Sequence, residues 1–147
     1  MHVWLEELLQ AQMMAALIGA LSLAAFAQVF VSYCRSLLAS AGKLELSDRV
    51  REIADMQGKS PSAEDFGRFM QLVRLCPVHD ADRTGVRAIG VYYRLLRILG
   101  SKFGARSAGL AAWAEREREG CSHFAAVVLE RCISSNRNLL TQQAGHV

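Results

Sequence analysis

From Leu8 to Cys34 the chain runs for 27 residues without a charge or a proline, built mainly from Ala, Leu, Met, Val and Phe. An apolar stretch of more than about 18 residues is suited to hydrocarbon only as a helix, because every backbone N–H and C=O there must be satisfied within the segment. Its most apolar part, Met13 to Tyr33, is 21 residues long. At about 1.5 Å per residue that length matches a hydrocarbon layer of roughly 30 Å. Trp4 and Tyr33 stand where aromatic rings favour the headgroup level. Trp4, Leu5, Leu8 and Leu9 recur at helical spacing, so the helix is expected to begin before the apolar core. Gly42 is a natural stop after Leu37 and Leu38. The sequence thus reads as a membrane anchor over residues 1–42 with its core at 13–33, a helical domain over 43–140 and a flexible polar tail over 141–147.

Flanking charge gives an orientation. Glu6 and Glu7 precede the run, without any Lys or Arg, whereas Arg35, Lys43, Arg49 and Arg51 follow it. Lys and Arg are retained on the cytoplasmic side, which predicts a single-pass protein with its N-terminus outside and its domain in the cytoplasm. The competing expectation is a secreted helical protein with a cleaved signal peptide, since Ala25-Phe26-Ala27 has the small-x-small form of a cleavage site. An acidic start and an apolar run that continues to Tyr33 both argue against it.

Within the run, Ala16, Ala20 and Ala24 recur every fourth residue, with Gly19 and Ala27 nearby and Gln28 as a polar side chain in the apolar zone. Small residues on one face let a second helix approach closely, so the anchor is expected to pack on a membrane-protein partner or on a second copy of itself. Ala-rich membrane helices are also common without such packing.

All 17 Lys and Arg residues follow the run, and two of the 14 acids precede it, so the remainder carries a formal excess of five positive charges. This bias suits the cytoplasmic face of an anionic bilayer and is too weak to point to nucleic acid. Four cysteines, Cys34, Cys76, Cys121 and Cys132, are expected to be free thiols in a reducing compartment.

The domain shows helical periodicity throughout and no alternating strand pattern, which predicts an all-α fold: the N-terminal transmembrane helix followed by a bundle of four or five short helices. Leu46, Val50, Ile53 and Met56 share one helix face. After a break over 57–62, Ser60 or Ser62 can cap a helix that buries Phe66, Phe69, Met70 and Val73 and stops at Cys76-Pro77. The next helix is expected from Asp80 or Asp82 to Leu99, with Gly100 as its C-cap and Ile89, Tyr92, Leu95, Leu96 and Leu99 inward. A short helix is expected over Ser107–Glu119, broken at Gly120, and a last one from about Ser122 to Leu140.

Two constellations carry candidate chemistry. Cys76, His79, Cys121 and His123 together offer two thiolates and two imidazoles, the ligand set of a structural zinc site. The C-x-x-H and C-x-H spacings are unspecific, and buried cysteines beside exposed loop histidines are the plainer expectation. No other cofactor is implied. Arg83, Arg87, Arg94 and Arg97 fall within an arc about 80° wide at 100° per residue, opposite the apolar face. No acid occurs between Asp82 and Glu115, and Lys102 and Arg106 extend the basic stretch. Such a stripe suits anionic lipid or an acidic partner. The ordinary alternative is a solvated face whose charge is met by Glu115, Glu117 and Glu119 on a neighbouring helix.

Those three glutamates alternate with Arg116 and Arg118, and residues two apart on a helix do not face each other, so they form no catalytic pair. G-x-S-x-G, Walker-type, G-x-G-x-x-G and H-E-x-x-H motifs are absent. Tyr92-Tyr93 beside arginines suggests stacking on bases, but Tyr92 sits opposite Arg83 on the helix, where core packing explains it. The expectation is therefore a non-enzymatic interaction protein, an accessory subunit or adaptor of a membrane complex. A metal- or redox-responsive membrane sensor built on the Cys and His residues is the second choice.

Overall fold

A computed structural model describes residues 2–44, 46, 52, 61–76 and 80–144. Among the described residues there are four α-helices, one 3₁₀ turn and no strand. They are α1 (His2–Ala41), the 3₁₀ turn (Ala63–Asp65), α2 (Phe66–Leu75), α3 (Asp80–Phe103) and α4 (Ala108–Ala144). The fold is all-α, with a long apolar helix at its N-terminus. The helix expected around Leu46–Met56 lies outside the described residues, apart from Leu46, which is buried, and Glu52, which is helical and exposed.

The chain divides into two units, Met1–Tyr33 and Cys34–Val147. The first is entirely part of α1 over its described length. Every described side chain from Gln10 to Val29 is exposed, including Leu21, Leu23 and Phe26 at 68–70%. α1 contains a helix long and apolar enough to cross a membrane, Gln10–Ala41, with a mean hydropathy of 2.1. A core helix of a water-soluble protein would hide such a surface, and the most apolar 18 residues of this one hide none of it.

The second unit begins at Cys34, eight residues before the expected boundary at Gly42. The reason is burial. Cys34 and Ala41 are fully covered and Leu37 and Leu38 half-covered, so the last two turns of α1 belong to the domain core. α1 then stops where Gly42 N–H reaches back to the Leu38 carbonyl at 2.9 Å.

α4 is the helix around which this unit packs. Cys121, Ser122 and all six residues from Phe124 to Leu129 are buried, so its middle is covered on every side. Ser107 starts it, accepting a hydrogen bond at its hydroxyl from Leu110 N–H at 3.3 Å. The expected break at Gly120 is absent, and one helix of 37 residues replaces two short ones. A glycine inside a helix costs only about 1 kcal/mol, and here the missing side chain has a use. A Cβ at Gly120 would lie 3.4 Å from Leu38 Cδ1, so glycine lets α1 sit close to α4. Helix also continues through the beginning of the expected polar tail, to Ala144.

α3 packs Ile89, Tyr92 and Leu96 inward, as their spacing predicts. Each such burial is worth about 1.5–3 kcal/mol. Leu95 departs from expectation: it is 44% exposed, because only a narrow arc of α3 meets its neighbours. The helix also passes its expected cap at Gly100 and ends at Phe103. Gly104 is the residue that must be glycine, because a Cβ there would collide with the Gly100 carbonyl oxygen. α2 buries Phe66, Phe69 and Val73 and leaves Met70 half-covered. Asp65 holds its entry, accepting hydrogen bonds from Ser62 N–H at 2.9 Å and from the Ser62 hydroxyl at 2.8 Å. The backbone turns extended at Cys76, before Pro77, which ends the helix.

Candidate basic face and thiol pairs

The four arginines predicted to share a face of α3 do so, and they line a groove between α3 and α2 of about 990 Å³. Arg74 of α2 joins Arg83, Arg87, Arg94 and Arg97, and among the described residues no carboxylate lines the groove. Its apolar floor is Phe66, Met70, Val86 and the ring of Tyr93. Arg74 lies outside the helical arc that the spacing of α3 defines, so only the fold reveals it. Lys102 and Arg106 are exposed at and beyond the end of α3 and do not line the groove.

Two of the three glutamates expected to answer this stripe, Glu115 and Glu117, answer other residues. Glu117 pairs with Arg35 at 3.3 Å and accepts a hydrogen bond from the Tyr92 hydroxyl at 3.2 Å. Desolvation, followed by the Glu117 charge, drives the Tyr92 hydroxyl well above the usual phenol range, so it stays a donor. Glu115 pairs with Arg118 at 2.6 Å. Arg118 in turn donates to the Tyr93 hydroxyl at 3.2 Å and lies over the Tyr93 ring, 5.2 Å from its centre. Tyr93 itself stacks on Phe66 at 4.1 Å and donates its hydroxyl proton to the Ala63 carbonyl at 2.7 Å. Both tyrosines are thus committed to structure. Among the described residues, Arg74, Arg87, Arg94 and Arg97 have no carboxylate partner. Glu117 and Asp82 instead pair with Arg35 and Arg131 on neighbouring helices.

The cysteines fall into two pairs, neither of them the one suggested by sequence. Cys76, half-buried at the end of α2, hydrogen-bonds through its thiol to Cys132 of α4. Burial, and then this contact, pushes the Cys132 thiol up to about 11. Cys121 neighbours Cys34, whose thiol points at the Ala88 carbonyl 4.0 Å away. Burial first, then the nearby Glu117 carboxylate, pushes the Cys121 thiol up to about 12. Cys121 and Cys132 are three turns apart on α4, about 16 Å along its axis. With Cys76 held at Cys132, the structure does not bring Cys76 and Cys121 together. His79 lies outside the described residues, and His123 is half-buried with its pKa lowered by desolvation. Among the described residues, no three His, Cys, Asp or Glu side chains group to hold a metal ion. Raised thiol pKa values mark Cys121 and Cys132 as packing residues that resist ionisation.

In unit 1, the small residues Ala16, Gly19, Ala20, Ala24 and Ala27 and the polar Gln28 are all exposed, and a Cβ at Gly19 would meet nothing within 4 Å. No known protein family, curated protein or solved structure matches this chain.

Proposed function

We propose that the chain is a small, single-pass, membrane-anchored helical interaction protein, an accessory subunit or adaptor of a membrane complex. The observation that carries this reading is the unbroken exposure of the apolar side chains from Gln10 to Val29, next to a unit whose apolar residues are largely covered. Burying one such side chain is worth about 1.5–3 kcal/mol, so a helix with this many uncovered requires lipid or another helix around it. Positive charge confined to the C-terminal side supports a cytoplasmic domain. The exposed face of Ala16, Gly19, Ala20, Ala24, Ala27 and Gln28 supports lateral packing on a partner helix or a second copy.

The test is an alkaline carbonate wash of membranes containing the full chain, with the intact mass of the retained protein and of whatever co-purifies in mild detergent. Retention at full length with a stoichiometric companion is the expected result. A soluble product, or a chain that begins at Gln28, overturns the anchored reading. The contact of Cys76 with Cys132 favours a second reading, a redox-responsive protein whose domain is altered when these two thiols are oxidised.

A further inference from the structure

The solvent side of α3 holds two adjacent stripes. Arg83, Arg87, Arg94 and Arg97 form one. Val91, Leu95 and Ile98, spaced one turn apart, form the other and are 50%, 44% and 48% exposed. Exposed helix faces in water normally mix acids with bases and keep branched apolar residues covered. From Arg83 to the end of the helix at Phe103 this face has no acid. Basic side chains beside an uncovered apolar ridge form the pattern of a helix that rests in a membrane interface. The apolar residues reach the acyl boundary, while guanidinium groups grip phosphate.

Three further observations favour lipid over an acidic protein. The arginines extend onto a second helix, through Arg74 and the groove, so the basic surface is broad where a docked peptide needs a narrow track. The groove floor is apolar and open beside them, which suits an acyl chain or glycerol backbone next to its headgroup. And Cys34 follows Tyr33 directly, so a bilayer that holds the apolar run is within reach of the domain without a linker. We infer that the outward face of α3, with the groove it shares with α2, docks on anionic phospholipid headgroups. This rests on the anchored reading given above. Each arginine near an anionic surface adds about fivefold to the affinity, so the stripe is worth more than a hundredfold.

The experiment uses the full chain in vesicles made with brominated acyl chains, and introduces a reporter by Leu95→Trp. Its emission is taken as the difference from the parent protein, which carries Trp4 and Trp113. With about 30% phosphatidylglycerol, bromine is expected to quench the added emission by about half or more. In phosphatidylcholine alone the quenching is expected to fall at least threefold by ~1 kcal/mol-per-charge attraction. Arg87→Gln, Arg94→Gln and Arg97→Gln combined are expected to abolish the difference. Ile98→Trp provides a second reporter, and far-UV circular dichroism identifies any variant that does not fold.

Equal quenching in both lipids overturns the anionic preference. Absence of bromine quenching at both reporters overturns the proposal outright. If acrylamide then quenches them, the face looks into water; if it does not, a protein covers the face. An alkaline wash of the same vesicles separates the two readings. Retention without bromine quenching defeats the lipid face alone, whereas release with quenching intact at neutral pH defeats the anchor and leaves the face standing.

Discussion

The middle of α4 and the apolar part of α1 resemble each other in composition and differ in everything around them. Both are helices rich in Ala, Val, Leu and Phe with apolar residues all the way round. Phe124 to Leu129 is covered on every side by protein, while Gln10 to Val29 is covered by none. A helix without a polar face must be enclosed, and the difference lies only in what encloses it. α4 meets Tyr92 of α3 at Glu117 and Cys34 of α1 at Cys121, and α2 packs along it as well. On the anchored reading proposed above, the corresponding enclosure for α1 is lipid or a partner helix. Two apolar helices of like composition therefore demand different surroundings, and only their tertiary contacts tell them apart.

A charge placed in each helix is the sharpest way to break this comparison. Val128→Lys puts an unpaired ammonium into the protein core, which costs more than about 4 kcal/mol. The expected result is loss of the cooperative thermal transition of the domain, read by circular dichroism, with the chain still held by membranes. Leu21→Lys is expected to do the reverse. Near the centre of a bilayer a lysine costs about 2.5–3.5 kcal/mol, so the membrane-bound fraction falls while the domain's transition stays within a degree or two. Should Leu21→Lys unfold the domain instead, the two units are not independent and the comparison fails.

A smaller effect tests how narrow the inward arc of α3 is. Leu96 is fully buried and its neighbour Leu95 is 44% exposed. Leu96→Ala is expected to lose about 2–5 kcal/mol of stability in denaturant titration, and Leu95→Ala less than about 1 kcal/mol. Equal losses would mean that Leu95 is covered in the folded protein.

The mildest perturbation is titration of the thiols. Cys121 and Cys132 have their pKa raised from 9.0 to about 12 and about 11, so the folded state keeps protons that the unfolded state gives up. Their contribution to stability is full below pH 9 and is lost as pH rises from 9 towards 12. Alkylation of the folded protein at pH 8.5 is expected to reach Cys76, the half-buried thiol, and to spare Cys34, Cys121 and Cys132, read as one modification by intact mass. After mild oxidation, joint loss of Cys76 and Cys132 reactivity in the unfolded chain would support the redox reading; retention of both would remove it.

Much of this architecture is written in local pattern. The length of the apolar run, the inward spacing of Ile89, Tyr92 and Leu96, and the arc of four arginines follow from helical geometry alone. Helix ends are less legible, because a glycine can stop a helix or admit a neighbour. Gly120 admits Leu38, and the stop expected at Gly100 falls one turn later at Gly104, where a side chain has no room. Pairings between helices have no local signal at all. That Glu117 serves Arg35 and Tyr92, or that Cys76 meets Cys132, depends on which turn of α4 faces which neighbour. The candidate basic face was therefore visible in part: the arc could be read, whereas Arg74 and the lack of answering acids could not.

The centrality of α4 also sets the order in which the molecule can be made. Phe124 leaves the ribosome about 90 residues after Tyr33, which at 5–20 residues per second is a delay of roughly 5–20 s. During that interval α2, α3 and the last turns of α1 have no central helix to pack on. Their apolar faces stay open until α4 is made, whereas the apolar run of α1 is complete before any of them. Synthesis thus presents the segment suited to lipid before the helix that completes the core, and a chain stalled within α4 would display the inner faces of its helices to any chaperone or protease nearby.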